Sequence, residues 1–392
     1  MTIPLAAPER GVVPAQPGRP VRTVGVEEEL LLVDAQTLVP TPVAQALMGR
    51  AAAVAPGLEL EVKREQIEVV GPPLSTLDGL RASIVAGRGA ADAAARSVGA
   101  RAVPLATAPV PCTPHLVSTP RYDQMQRHFG LTMDEQLTCG FHVHVAVDGA
   151  EEGVGVLDRI RPWLPVLLAL SANSPFWQGR DTGFASYRYQ AWGRWPTAGP
   201  YDPFGSAAAY RDGIRRLLDA NVLLDPGMVY FDARLSDHAP TVEVRIADVC
   251  LDPEDAAALA VAVRSLVTVS AAAWAAGEEI DPVPTGLLRL ASWRASRSGL
   301  DEDLVHPLTG HPCPASEAVS ALLAHIDAGF ADPAERTAVV AAFGEILHRG
   351  NGARRQRSAH EQGGSCADVV AAALRAMDAP GAATSEVDTT TS

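Results

Sequence analysis

Alternating apolar and polar residues, or runs rich in β-branched residues, mark five strand-like stretches. They span 22–34, 58–70, 137–147, 228–235 and 240–248. Apolar residues recurring at three- and four-residue intervals predict helices over 75–99, 154–172, 206–220, 253–276, 285–298, 315–330, 333–349 and 366–377. The signal at 253–276 includes its own start: Asp252 can cap, Pro253 suits the first helical position, and Glu254 and Asp255 oppose the positive helix end. Strands and helices alternate without a strict strand–helix–strand rhythm. The pattern therefore predicts an α+β fold with a mostly antiparallel sheet, not a doubly wound parallel one.

The strands carry unusual polar residues. In "TVGVEEELLLVD", residues 23–34, Val24, Val26, Glu28, Leu30 and Leu32 share one face, while Gly25, Glu27, Glu29 and Leu31 share the other. Two carboxylates projecting side by side repel unless a cation lies between them or one keeps its proton. Glu28 falls on the apolar face and needs a partner such as arginine. The run 58–70 adds Glu59, Glu61, Glu65 and Glu68; "CGFHVHVAV" puts His142 and His144 on one face; "TVEVRIADV" does the same with Glu243 and Arg245. Taken singly, these motifs also read as a solvated acidic face, a hydrogen-bonded histidine pair and a plain sheet ion pair. Taken together on one sheet, they make a floor of carboxylates, imidazoles and a guanidinium over a packed core. Such a floor suits hard divalent ions, which in turn hold phosphates, with Arg245 countering charge that develops during transfer.

Composition narrows the picture further. The 392 residues are 47% hydrophobic, enough to fill the core of one large domain. The net charge of −14 argues against nucleic acid as the main partner. Lys63 is the only lysine, so arginine supplies nearly all the positive charge, and the acidic balance leaves room for a small anionic substrate held by a local arginine cluster. Five scattered cysteines without a C-x-x-C pair suggest reduced thiols, and Cys139 and Cys250 read as small buried hydrophobes. No charge-free apolar run reaches the length of about eighteen residues that a membrane span needs, and the N-terminus lacks a signal-peptide pattern. A cytoplasmic enzyme with no membrane partner is expected. Residues 1–20 read as a flexible segment, 21–377 as a single catalytic domain and 378–392 as a disordered tail.

Five motifs in order carry a family resemblance: "GVEEE" (25–29), "CGFHVHV" (139–145), "SYRYQAWGRWPTAGP" (186–200), "YFDARLSDHAPTVEVRIADVC" (230–250) and "GNGARRQR" (350–357). From about Arg22 to Arg357 the chain resembles the bacterial glutamate–cysteine ligase type 2 family, and within it the carboxylate–amine ligase branch. The resemblance implies a fold related to glutamine synthetase, a curved antiparallel sheet forming a funnel with helices outside. It implies ATP and Mg²⁺, with Mn²⁺ as a substitute, and amide-bond formation through an acyl phosphate. Small carboxylate and amine substrates, and a homodimer, follow from the same source.

Carried over residue by residue, Glu27, Glu29, Glu61, Glu68, His142 and Glu243 match the family's metal positions. Arg245, with Glu243, is implied as catalytic. Glu61 and Glu68 are seven apart, which requires a bulge or turn between them if they share a face. His144 is a weaker cofactor contact. Arg188, Arg194 and Arg234 are candidates for the substrate carboxylate, and Arg354, Arg355 and Arg357 for a loop closing over phosphates. Trp192 and Trp195 read as core. "HPLTGHPCP" (306–314) holds His306, His311 and Cys313 but lacks a second ligand pair, so a proline-rich loop is expected. Glutamate and cysteine are the founding substrates. The same motifs would serve an amide- or peptide-forming ligase of a specialised pathway, a metal-dependent phosphotransferase or hydrolase, or a binding protein without activity.

Overall fold

The computed structural model describes residues 20–51 and 57–378. The N-terminal segment 1–20 and the tail 378–392 expected from the sequence lie outside the described residues except at residues 20 and 378. Asp378 itself closes the helix Cys366–Asp378 and pairs with Arg96 and Arg101.

Seven strands form the main sheet: β1 (Val24–Asp34), β2 (Leu58–Leu60), β3 (Gln66–Val70), β4 (Ala100–Val103), β5 (Gly140–Ala146), β6 (Ala233–Leu235) and β7 (Thr241–Asp248). The order is β2-β3-β1-β5-β7-β6, with β4 pairing the far end of β1, and every pairing is antiparallel. The run 58–70 is two strands joined by a turn, so Glu61 leaves the ladder before Glu68 enters it. That turn is the interruption the seven-residue spacing demands.

The helices lying on the apolar face of the sheet are α1 (Leu77–Arg96), α2 (Ala150–Ile160), α3 (Leu164–Ser171) and α5 (Pro253–Ala275). Between α3 and α5 the chain forms the short helix α4 (Tyr187–Trp192). In α1, Leu80, Ile84, Arg88, Ala91 and Ala95 are buried at helical spacing. Helix α5 starts as its sequence dictates, with the Asp252 carboxylate accepting from the Glu254 amide. It is long and apolar enough to cross a membrane, yet 78% of its apolar window is buried, as suits a core helix. The predicted helix 154–172 is instead α2, a 3₁₀ turn at Arg161–Trp163 and α3. Pro162 and Pro165 remove the amides a continuous helix would need.

Arg88 is the partner of Glu28. It donates to both carboxylate oxygens, at 2.9 and 2.6 Å, and to the carbonyls of Leu251 and Cys250. One glutamate of the triplet is thus neutralised beneath the sheet, and only Glu27 and Glu29 face outward.

The C-terminal helices include α6 (Thr285–Ser298), α7 (Pro333–Arg349) and α8 (Gly352–Gly363). Residues 350–357 therefore open a helix instead of forming a loop. Gly350, at φ +88°, turns the chain out of α7, and the Asn351 side chain accepts from the Arg354 amide. Residues 304–305 and 312–313 pair as a two-stranded ribbon, and among the described residues its His306, His311 and Cys313 join no metal-competent cluster. All five cysteines are free.

Candidate active site

Strand register assembles the site. Glu29 on β1 lies opposite Glu68 on β3, and Glu27 lies opposite His142 on β5. His144 lies opposite Glu243 on β7, which in turn faces Arg234 on β6. A register shift between Phe141 and Val143 bends β5 at His142. The result is one polar row across five strands, forming the floor of a cavity of about 540 Å³. Glu61 reaches the same cavity from the turn after β2.

At the centre, His142 Nδ1 lies 3.2 Å from Glu27 Oε2 and its Nε2 lies 3.9 Å from Glu29 Oε1. His144 Nε2 is 3.2 Å from the other Glu27 oxygen, while its Nδ1 is 3.1 Å from the Thr241 hydroxyl. Burial disfavours the Glu27 charge, but hydrogen bonds with both histidines hold its carboxyl well below the usual range. Burial, with the charge of Arg245 beside it, lowers His142. Glu29 accepts the Gly140 amide at 2.7 Å. A side chain at Gly140 would collide with Arg188 Nη2 and meet His142 Nε2 at 3.0 Å, so glycine suits this close approach.

The acidic side behaves differently. Burial, followed by the charge of Glu29, pushes Glu61 up to about 7. Burial and the charge of Glu61 push Glu68 well above the carboxylate range. On the basic side, Arg234 Nε donates to Glu243 Oε2 at 2.7 Å, and Arg245 pairs with Glu243 as well. Burial opposes the Glu243 charge, but Arg245 and Arg234 hold its carboxyl well below the usual range.

Three sets of side chains each bring three ligand atoms within 4.8 Å of one another: Glu29, Glu61 and Glu68; Glu27, Glu68 and His142; Glu27, His144 and Glu243. The donors are carboxylates and imidazoles, which suit Mg²⁺ or Mn²⁺. Among the described residues Glu61 and Glu68 form no salt bridge, although the charge of Arg245 reaches both, and the buried Nε of Arg245 finds no acceptor there. The residues present therefore fit divalent cations on one side and an anion on the other.

All six expected metal residues, with His144, Arg234 and Arg245, line this cavity. Five expected arginines do not. Arg188 is buried with its guanidinium beside Gly140 and Trp192 and donates to the carbonyls of Arg245 and Ile246, so it braces the end of β7 and is not among the residues that line the cavity. Arg194 pairs with Glu135 at 2.6 Å on the wall of a different cavity. Arg354 pairs with Asp301, Arg355 lies 3.7 Å from Asp252, and Arg357 pairs with Asp181 at 2.8 Å. Helix α8 directs these three at neighbouring carboxylates, which corrects the expectation of a phosphate-closing loop. Trp192 and Trp195 are packed with Tyr230 and also line the cavity. Glu59, Arg121 and Tyr122 line it without having been assigned a role from sequence. Glu59 stood within a recognised acidic run, whereas Arg121 lies in a helix whose pattern carries no motif.

Comparison with known proteins identifies the family and the fold. Residues 23–372 match the family model described as Glutamate-cysteine ligase family 2. Two relatives share the name "Putative glutamate–cysteine ligase 2-1". The one from Paenarthrobacter aurescens is 51% identical over 362 residues, covering 90% of this chain and 94% of that protein. The one from Streptomyces avermitilis is 48% identical over 358 residues, covering 91% and 99%. Among solved structures, glutamate–cysteine ligase from Francisella tularensis, in complex with AMP, superposes with a TM-score of 0.68. That match covers 91% of this chain and 88% of that one at 12% identity, a likeness of fold. The α+β architecture with its open antiparallel sheet is thus that of glutamate–cysteine ligase, and the chain belongs to glutamate-cysteine ligase family 2.

Proposed function

We propose that the protein is an ATP-dependent carboxylate–amine ligase that forms a γ-glutamyl-type amide bond, with glutamate and cysteine as the first substrates to test. The observation that carries this reading is the single cavity in which three overlapping ligand sets stand beside Arg245 and Arg234. Glu27, Glu29, Glu61, Glu68, His142 and Glu243 would hold Mg²⁺, which would offset the charge of the triphosphate. The AMP in the Francisella structure supports an adenine nucleotide as the phosphoryl donor.

In the first step a substrate carboxylate oxygen attacks the γ-phosphorus, the bond to the bridging oxygen breaks and ADP leaves. Arg245 faces the transferring group and meets its developing charge, and Glu243 fixes that guanidinium in place. In the second step the amine attacks the activated carbonyl as its free base, phosphate leaves with the electron pair, and the amine nitrogen loses a proton. Trp192, Trp195 and Tyr230 form the apolar wall that limits water at the acyl phosphate.

The test is a matrix of carboxylates and amines with ATP and Mg²⁺, read as ADP release and product mass. ADP release that requires both substrates, with an amide of the summed mass, supports the ligase. Release with water alone as acceptor points to a hydrolase. Glu27→Gln and Arg245→Ala are each expected to lower turnover by about a thousandfold or more with the fold retained. Normal ADP formation in both variants would refute the site.

A further inference from the structure

A second cavity, of about 360 Å³, lies across Trp192 from the acidic floor, and Trp192 lines both. Helix α4 and the segment after it supply Tyr189, Trp192 and Arg194; helix α6 supplies Arg289, Leu290 and Trp293. Leu290 and Trp293 are 64% and 50% exposed and lie one turn apart, flanking the cavity. Large apolar side chains left this open beside a concavity mark a place where something binds.

The polar groups are arranged with equal consistency. Arg194 is held by Glu135 at 2.6 Å and by the Ala191 carbonyl at 3.1 Å, so its guanidinium is fixed on the wall. Among the described residues Arg289 forms no salt bridge, although it stands on the same cavity. The Tyr189 hydroxyl is turned inward, donating to the buried Asp232 at 3.2 Å, and leaves its ring as the cavity surface. The wall therefore offers the Arg289 guanidinium, whose charge also reaches the buried Asp232, the Arg194 guanidinium shared with Glu135, and flat apolar area, and among the described residues no carboxylate lines it.

We propose that this second cavity binds a small monocarboxylate with an aromatic or branched apolar body, of amino-acid size, at a site separate from the catalytic cavity. Arg289 and Arg194 meet the carboxylate, and the body rests against Trp192, Trp293 and Leu290. The volume suits one such molecule and is small for a nucleotide. Trp192 also stands about 6.0 Å from the guanidiniums of Arg188 and Arg245, so an occupant here presses on a side chain shared with the other site.

The experiment is titration calorimetry of the full chain with phenylacetate, with acetate and phenethylamine as controls lacking the body or the anion. Expected is saturable binding of one phenylacetate per chain, with both controls at least about tenfold weaker. Arg289→Ala and Trp293→Ala, at exposed positions that leave folding intact, should each weaken binding by roughly tenfold, and Arg289→Lys should restore part of it. Binding should persist with ATP and Mg²⁺ present. Absence of saturable binding, equal binding of either control, indifference to both alanine variants, or displacement by ATP and Mg²⁺ would each overturn the assignment. So would sedimentation showing that the patch is buried in a dimer that Trp293→Ala dissociates.

Discussion

Glu61→Gln tests whether the acidic side of the cavity is built around cations. Burial and Glu29 raise the Glu61 carboxyl from 4.5 to about 7. Between those values the folded chain keeps a proton that the unfolded chain has released, so stability is lost as pH climbs through this window. The full displacement corresponds to about 3 kcal/mol, and water in the open cavity reduces it to about 1–2 kcal/mol. Glutamine removes the titration. In EDTA at pH 8 the variant should be more stable than the parent by about 1–2 kcal/mol, with the difference vanishing near pH 4.5. Magnesium should reverse the order. A cation bound at a hundred times its Kd adds about 2.7 kcal/mol to the parent, and the variant should receive distinctly less. Urea unfolding followed by circular dichroism, at several pH values with and without Mg²⁺, measures each quantity. A parent whose stability is flat between pH 5 and 8 in EDTA, or equal stabilisation of both proteins by magnesium, would show that the carboxylates are solvated neighbours and not a cation site.

Arg88→Leu strands the Glu28 carboxylate and two carbonyls in the core and should cost about 3–5 kcal/mol in urea, most of it regained in the double variant with Glu28→Leu. A loss below about 1 kcal/mol would mean that Glu28 finds water or another partner. Gly140→Ala should cost about 1–3 kcal/mol, because its methyl would meet Arg188 and displace His142. The same variant should weaken Mn²⁺ binding, followed by electron paramagnetic resonance, and an unchanged affinity would separate His142 from the cation. Arg354→Ala and Arg357→Ala remove exposed pairs, so each should alter stability by less than about 1 kcal/mol. The KM for ATP should hold in both, and a marked rise would return these arginines to the nucleotide.

Strand alternation made the polar faces legible, since side-chain direction along a strand has a fixed period of two. His142 with His144, and Glu243 with Arg245, could be paired from sequence because each pair lies on one strand. Partners across strands could not, because period two fixes the face and leaves the register open. Glu28 shows the limit: its need for a cation followed from its face, but Arg88 is supplied by a separate helix. The arginines failed for the same reason. Arg245 and Arg354 are equally plain in the sequence, and only the fold turns one into the cavity and the other toward Asp301. The helix break at Pro162 and Pro165 was readable, yet a continuous apolar run concealed it.

The order of strands also arranges charge. Read from β3 through β1, β5 and β7 to β6, the floor passes from Glu68 and Glu29, through Glu27 and the two histidines, to Glu243 with Arg245 and Arg234. On the acidic side, carboxylates outnumber cations; on the basic side, two guanidiniums share one carboxylate and keep a surplus positive charge. Such a gradient orients a polyanion. In the proposed reaction, bound cations would draw a triphosphate toward β1 and β3, while Arg245 would draw the group under transfer toward β7. Beneath it, Glu28 and Arg88 cancel one another and contribute little field at the surface. The adjacent glutamates of β1 therefore serve opposite faces: two supply the field of the site, and the third ties the sheet to the helix that supports it.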